Sequence, residues 1–146
     1  MATRSNIAII LKEEDKARVY AELNKKLEAT GDKFRYGVDN GNILQIYCHW
    51  DGYPEGVGHD LLKVFYSYDK ALELILEGDH STPYVSYTSM SEDWVSNRPE
   101  QRTEPRCEND YLYVFKDGEW KMPTDDDAYE DIVDKDGYVS LKDYLK

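Results

Sequence analysis

Near the C-terminal third of the chain, two aromatic runs, Tyr111–Phe115 and Glu119–Met122, flank Lys116-Asp117-Gly118. Asp-Gly between such runs is a strong signal for a tight two-residue hairpin, because both turn residues must take positive φ. A chain with this feature must build at least part of its core as an antiparallel sheet. The other runs are then read as what pairs with that hairpin or packs on it.

Asn6–Leu11 (Asn-Ile-Ala-Ile-Ile-Leu) is a short β-branched run and predicts a core strand. Ile43–Trp50 predicts a second strand, whose imperfect alternation suits cover on both faces. Between them, Glu13–Ala29 carries helix formers with a stripe at Val19, Leu23 and Leu27, acids leading, bases trailing and Gly31 as the stop. His59–Ser67 and Asp69–Leu76 predict two short helices, with Asp69 as N-cap of the second and Gly78 closing it. The region 79–110 is poor in aliphatics, and only Tyr84-Val85-Ser86-Tyr87 suggests an edge strand there. A short amphipathic end covers Val139–Leu145. The expected fold is α+β: a small antiparallel or mixed sheet with helices packed mainly on one face. A single domain over 1–146 is expected, with a loop-rich stretch at 79–110 and an acidic C-terminal segment at 123–146.

Thirty acidic against 18 basic residues give a net charge of −12. Counterion release needs clustered Lys and Arg, and none occurs, which argues against direct nucleic-acid binding. A basic protein partner is compatible with this charge. The opening residues hold no apolar signal core, and no stretch approaches about 18 apolar residues, so no membrane association and a cytoplasmic location are expected. Cys48 and Cys107, few and far apart, are expected as free thiols.

One segment stands out, Tyr47-Cys48-His49-Trp50-Asp51-Gly52-Tyr53-Pro54-Glu55-Gly56-Val57-Gly58, at a strand-to-helix junction. Trp50 and Tyr53 offer flat faces for stacking; Gly56 and Gly58 allow close backbone approach and free N–H groups at a helix start. His49 and Asp51, two apart, would share a face if the strand continued, as an acid–base pair or a structural hydrogen bond. Arg4, with Ser5 beside it, adds a cation if its strand end meets this loop. The ligand-binding candidates are therefore Arg4, Ser5, His49, Trp50, Asp51, Tyr53, Gly56 and Gly58. The alternative assigns the same residues to turn, core and helix start. No catalytic residue, metal site or cofactor is expected: there is no P-loop, no CxxC or HxxxH spacing, and Asp134-Lys135-Asp136-Gly137 lacks the remaining EF-hand ligands.

The opening Met1-Ala2-Thr3-Arg4-Ser5-Asn6-Ile7 resembles that of a family of small proteins of tailed phages and prophages. So do the block Ile46–Gly58, the helix pair ending Leu76-Glu77-Gly78-Asp79, and Tyr111–Phe115 before Asp117-Gly118-Glu119-Trp120. Against shorter members of that family, Glu13–Thr30 has the look of a helical insertion in place of a simple hairpin. The resemblance implies a phage accessory protein in the host cytoplasm, with a role in counter-defence, and no established chemistry. Three functions fit that setting: sequestering a small anionic or nucleotide ligand, occupying a basic surface of a host defence protein as an acidic inhibitor or nucleic-acid mimic, or acting on a nucleotide as a small enzyme. The segment from His49 to Gly58 favours the first, and catalysis is the least supported.

Overall fold

The computed structural model describes residues 2–146 and is an α+β fold built on one mixed sheet. The strands are β1 (Ser5–Ile10), β2 (Ile43–Cys48), β3 (His80–Thr82), β4 (Val85–Ser86), β5 (Glu100–Arg102), β6 (Tyr111–Lys116), β7 (Glu119–Pro123) and β8 (Tyr138–Ser140). Their spatial order is β4-β3-β2-β1-β6-β7-β8, with β5 also on β2. β1 and β6 are parallel, with Ile7 opposite Tyr113, and β1 and β2 are antiparallel, with Ile7 opposite Ile46.

The Asp-Gly hairpin is present as expected. Lys116 pairs with Glu119, leaving Asp117 (φ 53°) and Gly118 (φ 81°) as the two turn residues with the left-handed conformations that such a turn demands.

Alternation in the central strands sorts the sheet into two faces. Ile7, Ile9, Leu44, Ile46, Cys48, Tyr113, Phe115, Trp120 and Met122 point to one face. There they meet residues from all five helices: α1 (Lys16–Ala29), α2 (His59–Lys63), α3 (Tyr68–Leu76), α4 (Trp94–Asn97) and α5 (Leu141–Tyr144). α1 buries Val19, Leu23 and Leu27 and adds Tyr20, whose hydroxyl donates to the Gly41 carbonyl. Ala8, Ile43, Leu112 and Val114 form a small apolar layer on the opposite face. The strap 103–110 crosses part of that face. Gln45 fastens it, accepting from the Arg106 N–H (3.0 Å) and donating to the Arg106 carbonyl (2.7 Å).

The structure amends several sequence expectations. α2 ends at Lys63 rather than running to Ser67, and α3 is capped by the Ser67 hydroxyl, which accepts from the Lys70 N–H, not by Asp69. A side chain one position before the first helical residue can reach a free N–H; Asp69 already lies inside the helix. Glu13–Asp15 form a separate 3-10 turn before α1. The stretch 79–110 holds β3, α4 and β5 besides the expected edge strand, found here as β4. Cys48 is buried and Cys107 exposed, both free. Among the described residues no helix is long and apolar enough to cross a membrane.

Candidate functional site

β2 ends at Cys48, and the chain then runs beside β3, with the His49 N–H donating to the His80 carbonyl and the Trp50 N–H to the Ser81 carbonyl. Asp51 takes a left-handed conformation (φ 54°) and turns the chain under the N-terminal segment. Gly52 lies so close to that segment that a Cβ would sit 2.8–3.0 Å from backbone atoms of Thr3 and Arg4. The Gly52 N–H donates to the Thr3 carbonyl (2.9 Å), and its carbonyl accepts from the Tyr113 hydroxyl (2.6 Å). Pro54–Gly58 make a π-helical turn that leads into α2.

This geometry determines what each candidate residue can do. Arg4 does lie beside the loop. Its backbone is held by Asp110 and Tyr111 while its side chain is exposed and, among the described residues, joins no salt bridge. Ser5 is fully buried against the Cys48 thiol, and its hydroxyl has no hydrogen-bond partner of ordinary geometry. Its strand places it on the inward face with Ile7 and Ile9, so it is not a surface ligand contact. Burial pushes the Cys48 thiol up to about 12, leaving it protonated and unreactive at neutral pH.

The backbone donors at Gly56 and Val57 are occupied. The Gly56 N–H donates to the Tyr53 carbonyl, and the Val57 N–H to the Asp51 carbonyl. A Cβ on Gly56 would meet the Asp51 carbonyl oxygen at 2.3 Å, and Gly58 is buried against Leu141 and Tyr113. These glycines serve close packing within the turn, and the Gly56 and Val57 N–H groups are not laid open to an anion.

His49 and Asp51 do not form the expected pair, because the left-handed turn at Asp51 ends the strand alternation. His49 Nδ1 instead shares a 2.6 Å hydrogen bond with the Tyr47 hydroxyl, and its ring stands edge-on to Trp50 at 4.6 Å between centroids. Asp51 accepts from the Tyr53 hydroxyl at 3.4 Å.

The loop's outer surface is aromatic and acidic. Trp50 is 47% exposed, Tyr53 39%, Tyr84 58% and Tyr66 61%. The backbone joins them: Trp50 is bonded to Ser81, three residues before Tyr84. The Tyr84 hydroxyl donates to Asp60 (3.0 Å) at the start of α2, and its ring packs on Phe65, the neighbour of Tyr66. Asp51, Glu55 and Asp60 lie among these rings, and among the described residues none of them is in a salt bridge. Rings beside unpaired carboxylates suit the guanidinium and ammonium groups of another protein, by cation–π contact and by charge. Sequence reasoning found Trp50, Asp51 and Tyr53 and missed Tyr84, Tyr66 and Asp60, because nothing in a sequence separates an exposed tyrosine from a core one.

Tyr113 carries the loop's position. Tyr113→Phe leaves the buried Gly52 carbonyl without its donor, and a loss of about 1–2 kcal/mol in urea unfolding is expected. Retained stability would show that the loop is held by its other bonds alone.

Among the described residues no group of three or more His, Cys, Asp or Glu is placed to hold a metal. No protein-family model, curated protein sequence or solved structure matches the chain.

Proposed function

We propose that this protein acts by binding, as an acidic docking module for a basic surface on another protein. The reading rests on one observation: Trp50, Tyr53 and Tyr84 stand exposed beside Asp51, Glu55 and Asp60, carboxylates that join no salt bridge among the described residues. The net charge of −12 supports it by steering cationic partners and repelling nucleic acid. The resemblance to tailed-phage proteins supplies the setting, a host defence protein as target in the host cytoplasm. Sequestering a small anion at the same loop loses its backbone donors to the Tyr53 and Asp51 carbonyls and keeps only Arg4. A small nucleotide-acting enzyme has less support, since His49 is bonded to a tyrosine hydroxyl rather than to a carboxylate.

The test is co-purification from cells of the natural host, comparing the unaltered chain with the paired change Trp50→Ala and Tyr84→Ala. Both side chains are about half exposed, so the fold should survive. A partner with a basic face is expected, held by the unaltered chain, released by salt and reduced about tenfold or more by the paired change. A partner retained equally by both chains would place the interface elsewhere.

A further inference from the structure

The exposed aromatic rings of this protein fall into two kinds. Phe34 and Tyr66 each carry a cation of the same chain over one face, Arg98 at 4.4 Å and Lys70 at 5.6 Å from the ring centroid. Among the described residues no such cation lies over Trp50, Tyr53 or Tyr84.

Two of these three rings are tied to carboxylates instead. The Tyr84 hydroxyl donates to Asp60 Oδ1 at 3.0 Å, and the Tyr53 hydroxyl to Asp51 Oδ1 at 3.4 Å. The charge of Asp51 holds the Tyr53 hydroxyl above its ordinary range. Among the described residues the second oxygen of each carboxylate accepts no hydrogen bond, and neither aspartate joins a salt bridge. Each pair thus sets a carboxylate at the hydroxyl end of an exposed ring.

A long cationic side chain can lay its apolar stem along such a ring and bring its head to the carboxylate. The two cationic residues differ in what the head gains there. A guanidinium is planar and weakly hydrated, stacks on aromatic faces, and offers N–H groups in a fixed fork that matches both oxygens of a carboxylate. Oδ1 keeps a lone pair beside its tyrosine bond, so the fork can be filled. An ammonium is a compact, strongly hydrated point charge without that fork.

We propose that the pairs Tyr53–Asp51 and Tyr84–Asp60 are two seats for arginine, so that the partner of this surface presents arginine rather than lysine to them. The assignment rests on the docking reading and narrows it from a basic partner to an arginine-bearing one.

Two peptides of equal length and charge test it, one of alternating Gly and Arg and one of alternating Gly and Lys. Each is titrated into the labelled protein at the same salt concentration, and the backbone signals of Tyr53, Asp60 and Tyr84 are followed by NMR. The Arg peptide is expected to bind about fivefold or more tighter than the Lys peptide. That preference is expected to fall below about twofold in the paired change Tyr53→Leu and Tyr84→Leu, made at exposed positions. Asp60→Asn keeps an acceptor for the Tyr84 hydroxyl and is expected to reduce the preference as well. Circular dichroism confirms the fold of the variants. Equal binding of the two peptides would overturn the arginine assignment and leave the docking reading standing, whereas no binding of either would overturn both. A preference kept in full by the folded paired variant would place the arginine contacts elsewhere and overturn the assignment.

Discussion

Asp134→Ala is expected to destabilise the protein by about 3 kcal/mol, a large effect for one residue in a segment that reads as solvated acid. Asp134 Oδ2 lies 3.1 Å from both the Lys116 and Lys121 ammonium groups, whose side chains are only 9% and 11% exposed. Oδ1 accepts from the N–H groups of Asp136 and Tyr138 and so ties the loop before β8. Removing the carboxylate leaves Lys121 with Asp117 alone, which is largely in solvent. Burial raises the Asp134 carboxyl, but the Tyr138 N–H and the Lys121 and Lys116 ammonium groups outweigh it and hold the group well below its ordinary 3.8. A carboxyl depressed in the folded state stabilises above its unfolded pKa and loses that contribution as pH falls through its folded one. The difference between Asp134→Ala and the unaltered chain should therefore be full at pH 7 and shrink once pH drops below about 4. Urea unfolding at several pH values measures it; a difference independent of pH would mean that the carboxylate is not what holds this corner. Asp134 and Asp136 thus serve the fold, and only the exposed acids of the tail, Asp125–Asp127 among them, remain for a decoy surface.

Trp120→Ala is the second large effect, at about 3–5 kcal/mol by the usual cost of emptying a buried aromatic site. Trp120 is 1% exposed, meets Phe115 edge-on at 5.3 Å, and donates its indole N–H to the Phe65 carbonyl (2.7 Å) just beyond α2. The loss therefore combines a cavity with an orphaned carbonyl. Because that carbonyl belongs to the segment between Tyr66 and α2, the change should also loosen the aromatic surface. Thermal unfolding with hydrogen exchange at residues 60–66 checks both. A loss below about 1.5 kcal/mol would mean that the core collapses into the space.

Much of this architecture was legible where the chemistry is local. Asp117-Gly118 specified its hairpin because few residues accept two positive φ values in succession. The stripe at Val19, Leu23 and Leu27 announced α1, and the β-branched runs announced β1 and β2. β3, α4 and β5 escaped because elements of three or four residues are too short to show a period, and their pairing is decided by the edge of β2. Ser5 was misread for want of one residue: starting β1 there puts it in phase with Ile7 and Ile9, facing inward. The glycines of the loop, expected to let backbone approach a ligand, serve close approach to Asp51, Leu141 and Tyr113 instead. Nothing local reports that a π-helical turn will consume its own N–H groups.

Photo-crosslinking at defined positions tests the docking reading most directly. A photoreactive residue replaces Tyr84 in one chain and Asp125 in another, and both are produced in the cells used for co-purification. Both positions are exposed, and they sample the aromatic surface and the acidic tail. The predicted result is a crosslink from position 84 to a protein whose crosslinked peptide is rich in Arg and Lys, with none from position 125. A crosslink from position 125 alone, or none from position 84, would contradict it.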